Sequence, residues 1–206
     1  MSRKRHLSDK ETLIHPISSA IEPINIKNLF PVEQSMELEL GCGDGSFTLD
    51  YAIGNPSRNV VALERLLGRI TKLNRKAHRA GLRNLRLLRA EAVYVIKYLL
   101  LPESFNAIHV YFPDPWPKKR HHKNRLITKK FPPLVKRLLR SNGVVYMRTD
   151  NIEYFEQMLD VFGLAKGFDS VETPESLKKF ITDFERDFNS QGIPTKYAAY
   201  RSITDN

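Results

Sequence analysis

The sequence predicts an α/β fold with a mostly parallel, seven-stranded sheet that carries helices on both faces. Three observations support this prediction. Short apolar runs alternate along the chain with segments of helical periodicity, and a glycine-rich turn joins the first run to the first helix. Two further runs near the C-terminus are typical of a closing strand pair. In such a sheet, ligands bind outside the carboxyl ends of the strands.

The predicted strands are short and mainly apolar; they cover Met36–Leu40, Asn59–Leu63, Leu85–Leu88, Ala107–Phe112, Gly143–Met147, Phe168–Glu172 and Lys196–Ile203. Helices are predicted over about Ser46–Ile53, Ile70–Ala80, Ala92–Leu101, Ile127–Leu139 and Glu153–Phe162, with Pro132-Pro133 interrupting the fourth. In the second helix, apolar residues recur every three or four positions and cations occupy the opposite face. Gly81 is its expected C-cap.

The length of 206 residues fits one domain with a sizeable core. We assign residues 36–206 to this domain and residues 1–35 to an N-terminal basic arm, since the arm lacks clear periodicity and begins with a basic tip, Met1–His6. The tip can touch a phosphate backbone, but a frayed terminus is the favoured interpretation. No apolar stretch follows the tip, so it is not a secretory signal.

The net charge of +10 indicates what kind of partner the protein binds and says little about its fold. Nucleic acid is the expected partner, an anionic membrane surface ranks second, and a protein that is merely basic is the plain alternative. Cys42 is the only cysteine, which excludes an intrachain disulfide and a cysteine-rich zinc site. No apolar run approaches the roughly 18 residues of a membrane span. We therefore expect a cytoplasmic protein without a membrane or metal partner.

The glycine-rich turn, Glu39–Gly45, offers a ligand close approach to the backbone through Gly41 and Gly43. A dinucleotide site favours glycine three positions after the second one, where Ser46 stands, and a pyrophosphate would be repelled by Glu39. S-adenosylmethionine carries an amine and a sulfonium instead of phosphates, so an acid suits it. The turn favours this cofactor, while a dinucleotide and a purely structural turn remain alternatives.

Acids also follow the next two strands. Glu64 ends the second strand, where a carboxylate can accept hydrogen bonds from both ribose hydroxyls of a nucleoside. Glu91 follows the third strand and can face the adenine end, or it can simply cap the following helix. Acids at three successive strand ends indicate a cofactor site more specifically than the glycine-rich turn alone does.

A rigid acidic loop follows the fourth strand. Asp114 stands between Pro113 and Pro115, which fix the backbone and remove two N–H donors. If successive strands are neighbours in the sheet, the fourth strand, which leads to Asp114, lies beside the third. Trp116 can stack on a base or pack in the core. Nucleobase amino-methyltransferases carry two prolines between their acid and aromatic residues, whereas one stands here, so chemistry on an exocyclic amine ranks lower.

The basic run Lys118–Arg125 begins four residues after Asp114 and can hold RNA phosphates while a base enters the site. A solvated charge run is the plain alternative. Its two histidines lack the spacing of a metal site, so none is predicted. Farther along, Asp150 ends the fifth strand and can serve as a helix N-cap instead. Thr182 and Glu185 have the spacing of a capping box.

The chain resembles the bacterial tRNA (guanine-N7-)-methyltransferases from about Met36 to the C-terminus. The most specific similarity is Asp114-Pro115-Trp116 with the Lys118, Arg120 and His121 that follow it; the other matching segments are Glu39–Gly43, Ala62–Glu64, Phe112–Pro113, Thr149-Asp150 and Thr182–Glu185. Two positions depart from the family pattern: Glu91 stands where Asp or Asn is commoner, and Asn124 where Arg is usual.

The resemblance implies a class I (Rossmann-like) S-adenosylmethionine-dependent methyltransferase that modifies a guanine in the tRNA variable loop. It implies that Glu39, Glu64, Glu91 and Asp114 contact the cofactor and that Asp114 is also catalytic. It assigns substrate binding to Lys118, Asp150, Thr182, Asp183, Phe184 and Glu185. It assigns RNA binding to Arg120, His121, His122, Lys123, Asn124 and Arg125. The expected partner is tRNA.

Three alternatives remain open at the level of sequence. One is a methyltransferase acting on another RNA atom. A second is an RNA-binding protein with a vestigial cofactor pocket, which the intact acids and glycines of the site disfavour. A nicotinamide dehydrogenase ranks last because of Ser46 and Glu39. Both a monomer and a homodimer are compatible with the sequence.

Overall fold

The computed structural model describes residues 12–203. Within them, eight strands form one sheet in the order β1-β4-β3-β2-β5-β6-β8-β7. The strands are β1 (Ile14–His15), β2 (Ser35–Leu40), β3 (Arg58–Leu63), β4 (Leu85–Leu88), β5 (Phe105–Tyr111), β6 (Leu139–Thr149), β7 (Phe168–Val171) and β8 (Lys196–Ser202). β8 runs antiparallel to β6 and β7, and the other neighbouring strands of the sheet pair in parallel. The predicted α/β fold and all seven predicted strands are confirmed, and β1 adds a short eighth.

The helices are α1 (Ser46–Gly54), α2 (Leu67–Arg79), α3 (Ala92–Tyr94), α4 (Phe131–Leu138), α5 (Ile152–Gly163), α6 (Glu175–Lys178) and α7 (Asp183–Ser190). A π-helical turn, Val95–Leu99, continues α3. Two 3-10 helices cover Ile26–Leu29 and Lys119–Asn124.

Two helix predictions need correction. The fourth helix begins at Phe131 rather than at Ile127, and its prolines lie in the first turn instead of interrupting it. Proline fits there because its missing N–H has no intrahelical acceptor at that position. The third helix is α-helical only over Ala92–Tyr94 before it widens into the π-helical turn.

Helices cover both faces of the sheet, as predicted. Alternate residues of β3 point to opposite faces: Val60 and Ala62 pack with α1, α2 and α6, whereas Val61 and Leu63 pack with the helices of the other face. The core on the face of Val61 and Leu63 includes Val135 of α4 and other side chains from α3 and α5. Burial on both faces explains why the strands are nearly continuous apolar runs.

The strand order reverses between β2 and β5, which pair directly. The prediction that the Asp114 strand lies beside Leu85–Leu88 is therefore wrong, because the chain returns past β2 after β4. This reversal makes the carboxyl ends of β2 and β5 a topological switch point, where α/β sheets form a ligand crevice. It brings the glycine-rich turn after β2 next to the Asp114 loop after β5.

Part of the segment assigned to the arm contacts the domain. Ile14 pairs with Leu87 across β1 and β4, and the Leu13 amide donates to Asn74 Oδ1 at 2.8 Å. Ile26 is fully buried in the core. The basic tip lies outside the described residues. None of the helices formed by residues 12–203 is long and apolar enough to span a bilayer.

Candidate active site

The glycine-rich turn after β2 has a left-handed backbone at Gly41 (φ +78°) and Gly45 (φ +76°), a region that other residues rarely adopt. The two glycines serve different purposes. A Cβ at Gly45 would overlap the Leu73 side chain, so this glycine lets α1 approach α2 closely. Among the described residues, no atom beyond the adjoining chain lies within 4 Å of a Cβ built at Gly41, which leaves open space for a ligand against the backbone.

Glu64, at the end of β3, fixes the same turn from the neighbouring strand. Its Oε2 accepts a hydrogen bond from the Gly43 amide at 3.0 Å, and its Oε1 accepts one from the Leu66 amide at 2.7 Å. The residue is buried. Each carboxylate oxygen has a second lone pair, so Glu64 can still accept hydrogen bonds from a ligand.

Glu39, in β2, is the buried acid of the site. The Thr48 hydroxyl of α1 donates a hydrogen bond to Glu39 Oε2. Burial raises the pKa of Glu39 to about 7, because it penalises the anion more than the Thr48 hydrogen bond and the Arg148 charge stabilise it, and nearby Glu64 raises the pKa further. A ligand cation placed nearby would favour the ionised form.

Arg148 of β6 is a buried cation that ties the sheet to the C-terminal helices. It donates to the Phe180 carbonyl at 2.7 Å and the Leu177 carbonyl at 2.9 Å, and it forms an ion pair with Glu185 at 3.0 Å. Its guanidinium lies 4.2 Å from the centre of the Tyr111 ring. The sequence analysis missed this role, although a cation inside an apolar strand calls for a buried acid partner.

The segment Thr182–Glu185 divides into inward and outward residues. Thr182 and Glu185 are buried and form the predicted capping box at the start of α7, so that structural interpretation is confirmed. Asp183 and Phe184 are exposed. The Asp183 amide donates to Ser46 Oγ at 2.9 Å, which fastens α7 to the start of α1 beside the glycine-rich turn.

The loop after β5 presents Asp114 on a constrained backbone. Phe112 (φ +47°) and Trp116 (φ +46°) are left-handed on either side of the Pro-Asp-Pro sequence. Non-glycine residues in this region are strained and persist only where the surroundings hold them. Asp114 is exposed and makes no hydrogen bond or ion pair with any residue in the range 12–203. The Phe112 ring stacks with Phe184 of α7, at 6.1 Å between centroids.

The predicted RNA-binding run is not uniform. Its exposed members are Lys118, Lys119, Arg120, Lys123 and Asn124. His121 and His122 are half-buried, and the His121 ring meets Trp116 edge-on at 5.9 Å. Arg125 is only 4% exposed and bonds to protein groups. The last residue of the run therefore differs from its exposed neighbours.

Two further predicted residues lie at the same edge of the sheet. Glu91 caps α3, with its carboxylate accepting hydrogen bonds from the Val93 and Tyr94 amides. Asp150 is half-buried, and the alternative role of helix N-cap is wrong for it, because Asn151 caps α5 by accepting from the Tyr154 amide. Asp150 has no hydrogen bond or ion pair within the described part of the chain.

Comparisons with known proteins agree with this geometry. The model of the family described as "Putative methyltransferase" matches residues 33–198. The tRNA (guanine-N(7)-)-methyltransferase of Shewanella putrefaciens (strain CN-32) is 34% identical over 168 residues, covering 79% of this chain and 71% of the relative. That of Yersinia enterocolitica is 35% identical over 170 residues, with 79% and 70% covered. The chain belongs to the tRNA (guanine-N7-)-methyltransferase family.

Solved structures support the fold of this methyltransferase. The 16S rRNA methyltransferase KamB matches with a TM-score of 0.61 at 19% identity, covering 88% of this chain and 91% of that one. TrmN from Thermus thermophilus matches with a TM-score of 0.58 at 18% identity, covering 88% of this chain and 45% of that one. At such low identity the likeness concerns the fold alone.

Besides Arg148, sequence reasoning missed two features of the methyltransferase site. Phe188 stacks with Phe112 at 6.1 Å and with Phe184 at 6.4 Å, so two rings of α7 pack against Phe112 of the Asp114 loop. The spacing of Phe184 and Phe188, four apart, gave a signal for this pair on one helix face. The burial of Arg125 had no such signal, because it depends on contacts with Glu153 and Gln157 of α5, which lie 28 and 32 residues away in sequence.

Proposed function

We propose that this methyltransferase transfers a methyl group from S-adenosylmethionine to N7 of a guanine in the variable loop of tRNA. The observation that carries the proposal is that the glycine-rich turn after β2 and the Asp114 loop after β5 lie side by side at the switch point. An exposed, unpartnered carboxylate on a strained loop adjoins a glycine turn flanked by buried acids, and exposed cations follow that loop directly. The names of the relatives support the choice of tRNA and of guanine N7.

The residues of the turn fit the methyl donor. The open space at Gly41 admits it against the backbone, and Gly43 presents the amide that orients Glu64. Glu64 then accepts hydrogen bonds from the ribose hydroxyls, and Glu91 faces the adenine end. Glu39 is the acid for the positively charged methionine end, which shifts it toward its ionised form. When bound, S-adenosylmethionine supplies a methyl group on a positively charged sulfur.

Asp114 positions the guanine and stabilises its product charge. N7 of guanine carries a lone pair and no proton at neutral pH, so its attack on the methyl carbon needs no general base. Methyl transfer would form the N7–carbon bond as the sulfur–carbon bond of the donor breaks, and the positive charge would pass from sulfur to the purine. A fixed carboxylate beside the purine edge, also in contact with the cofactor, favours that charge. Alignment of the two reactants contributes several kcal/mol, up to roughly 7–11.

The substrate is held by the exposed residues around the loop. The nucleotide that enters the site is bound by Lys118, Asp150, Asp183 and Phe184. The buried Thr182 and Glu185 support this binding by fixing the start of α7. The RNA backbone lies on Arg120, His121, His122, Lys123 and Asn124. Because N7 lies on the major-groove edge, which side chains cannot read in an RNA helix, the target is a guanine in a loop.

The test is incubation of the protein with unmodified tRNA and methyl-labelled cofactor, followed by mild reduction and aniline treatment. N7 methylation predicts label in the tRNA and strand scission at one guanine of the variable loop. Incorporation of label without scission would instead indicate methylation of another RNA atom. S-adenosylhomocysteine binding is measured in parallel. If the protein binds this ligand but transfers no label, an RNA-binding protein with a vestigial cofactor pocket is favoured.

A further inference from the structure

Arg125 stands apart from the other cations of the basic run. Lys123 and Asn124, the two residues before it, are exposed, whereas Arg125 is 4% exposed and its side chain points into the protein. Its guanidinium lies over the Tyr154 ring at 4.9 Å. A cation so enclosed has little surface to offer a phosphate.

The contacts of Arg125 link the loop after β5 to helix α5. Its Nε donates to the Pro115 carbonyl at 2.7 Å, next to Asp114. Its Nη1 donates to Gln157 Oε1 at 2.6 Å and its Nη2 to Glu153 Oε1 at 3.3 Å, both on α5. Nη2 also lies 3.0 Å from His122 Nε2, so the same guanidinium also contacts the middle of the basic run.

The loop needs such an external anchor. Phe112 and Trp116 hold strained left-handed conformations at its two ends. Pro113 and Pro115 lack N–H groups, so the loop cannot stabilise itself through their amides. The Phe112 amide donates to the Arg148 carbonyl at 2.8 Å, which fixes the first end to β6. Arg125 fixes the other end through the Pro115 carbonyl.

We infer that Arg125 is a positioning residue for methyl transfer: it holds the loop Phe112–Trp116, and with it Asp114, against α5 rather than binding RNA. The role requires the planar fork of arginine, because one group must donate in three directions while stacking on Tyr154. Lysine keeps the charge but offers only a single ammonium. The inference rests on the proposed function for its kinetic consequence, although the loop anchoring itself does not.

Kinetics of Arg125→Lys and Lys123→Ala separate positioning from RNA binding. Arg125→Lys is expected to lower kcat about 10- to 100-fold, with the KM for tRNA, the salt dependence of binding and the affinity for S-adenosylhomocysteine retained. Lys123→Ala, which removes an exposed cation of the same run, is expected to raise KM and flatten the salt dependence. If Arg125→Lys behaves like Lys123→Ala, with kcat retained, Arg125 contacts RNA and the inference is overturned.

Trp116 provides a readout that does not depend on activity, since it is the only tryptophan. Arg125→Lys is expected to increase acrylamide quenching of its fluorescence, and Lys123→Ala to leave it unchanged. Unchanged quenching in Arg125→Lys contradicts the inference even if the parent protein methylates no RNA. Should Arg125→Lys fail to fold, Gln157→Met decides in its place, because it removes one acceptor of the fork and keeps Arg125. It is expected to increase quenching as well, and no increase overturns the inference.

Discussion

Asp114 is unusual as a residue because it combines exposure with a fixed backbone. No partner among residues 12–203 neutralises its carboxylate, and two prolines and two left-handed residues restrict the loop around it. A charge that is already in place when positive charge develops on the purine costs no reorganisation during the reaction. This preorganisation, rather than proton transfer, is the role we assign to it.

Replacement of Asp114 tests that role. Asp114→Ala and Asp114→Asn are both expected to lower single-turnover methylation by more than tenfold, which corresponds to about 1.4 kcal/mol of transition-state stabilisation. The Asn variant keeps the shape and removes the charge, so it isolates the electrostatic contribution. Rates within tenfold of the parent in both variants would rule out the assignment.

The raised pKa of Glu39 predicts a pH effect on stability. The folded pKa of about 7 exceeds the ordinary value of 4.5, so between these two pH values the unfolded chain loses this proton while the folded chain keeps it. The free energy of unfolding therefore falls by about 3 kcal/mol from this group as pH rises from about 4.5 to 7. Below about pH 4.5, Glu39 is protonated in both states, and its contribution to the free energy of unfolding is fully present.

Glu39→Gln removes this titration while keeping the shape of the side chain. In urea unfolding, the variant is expected to gain stability relative to the parent between pH 4.5 and pH 7.5. The difference between the two proteins isolates Glu39 from the other titrating groups. Parallel pH curves for the two proteins would contradict the assigned pKa.

At the scale of elements, the buried ion pair of Arg148 and Glu185 joins β6 to α7. Both side chains are 1% exposed, and Glu185 also accepts a hydrogen bond from the Tyr197 hydroxyl of β8. Together they place α7, with Asp183 and Phe184, beside the loop after β5. The capping box completes the fixation at the start of the helix.

Glu185→Ala is expected to destabilise the protein by roughly 3–5 kcal/mol, because it leaves the Arg148 charge buried without a counterion. Asp183→Ala is the matched control for stability. Its ion pair with Arg186 is exposed and contributes at most about 1 kcal/mol. Denaturant unfolding of both variants gives the comparison. Equal losses of stability would mean that the buried pair does not fix α7.

At the scale of the whole molecule, the charge distribution predicts how tRNA binding depends on salt. Lys119 and Lys123 are exposed beside the loop after β5, whereas Lys166 precedes β7 at the opposite edge of the sheet. Each lost phosphate contact reduces the slope of log affinity against log salt by about 0.7–0.9. The double variant Lys119→Ala/Lys123→Ala is expected to lose up to about twice that amount, and Lys166→Ala none. An unchanged slope in the double variant would place the RNA elsewhere.

Much of this architecture follows from local sequence patterns. Buried parallel strands are continuous apolar runs, and the acids at their carboxyl ends, Glu39, Glu64 and Asp114, mark one edge of the sheet before any contact is known. The chain could not show the return of β5 to β2, because neighbouring strands in sequence are the default expectation. It also could not distinguish buried cations from exposed ones. Arg125 and Lys123 belong to one basic run, and only the contacts of Arg125 with α5 and with the loop after β5 distinguish it from Lys123.

The most direct test of the account is a crystal structure of the protein with S-adenosylhomocysteine. We predict the ligand in the crevice between the glycine-rich turn and the loop after β5. Its ribose hydroxyls should contact Glu64, and its sulfur should lie close to Asp114. A ligand bound at any other part of the surface, or a crevice that stays empty at saturating concentration, would contradict the account.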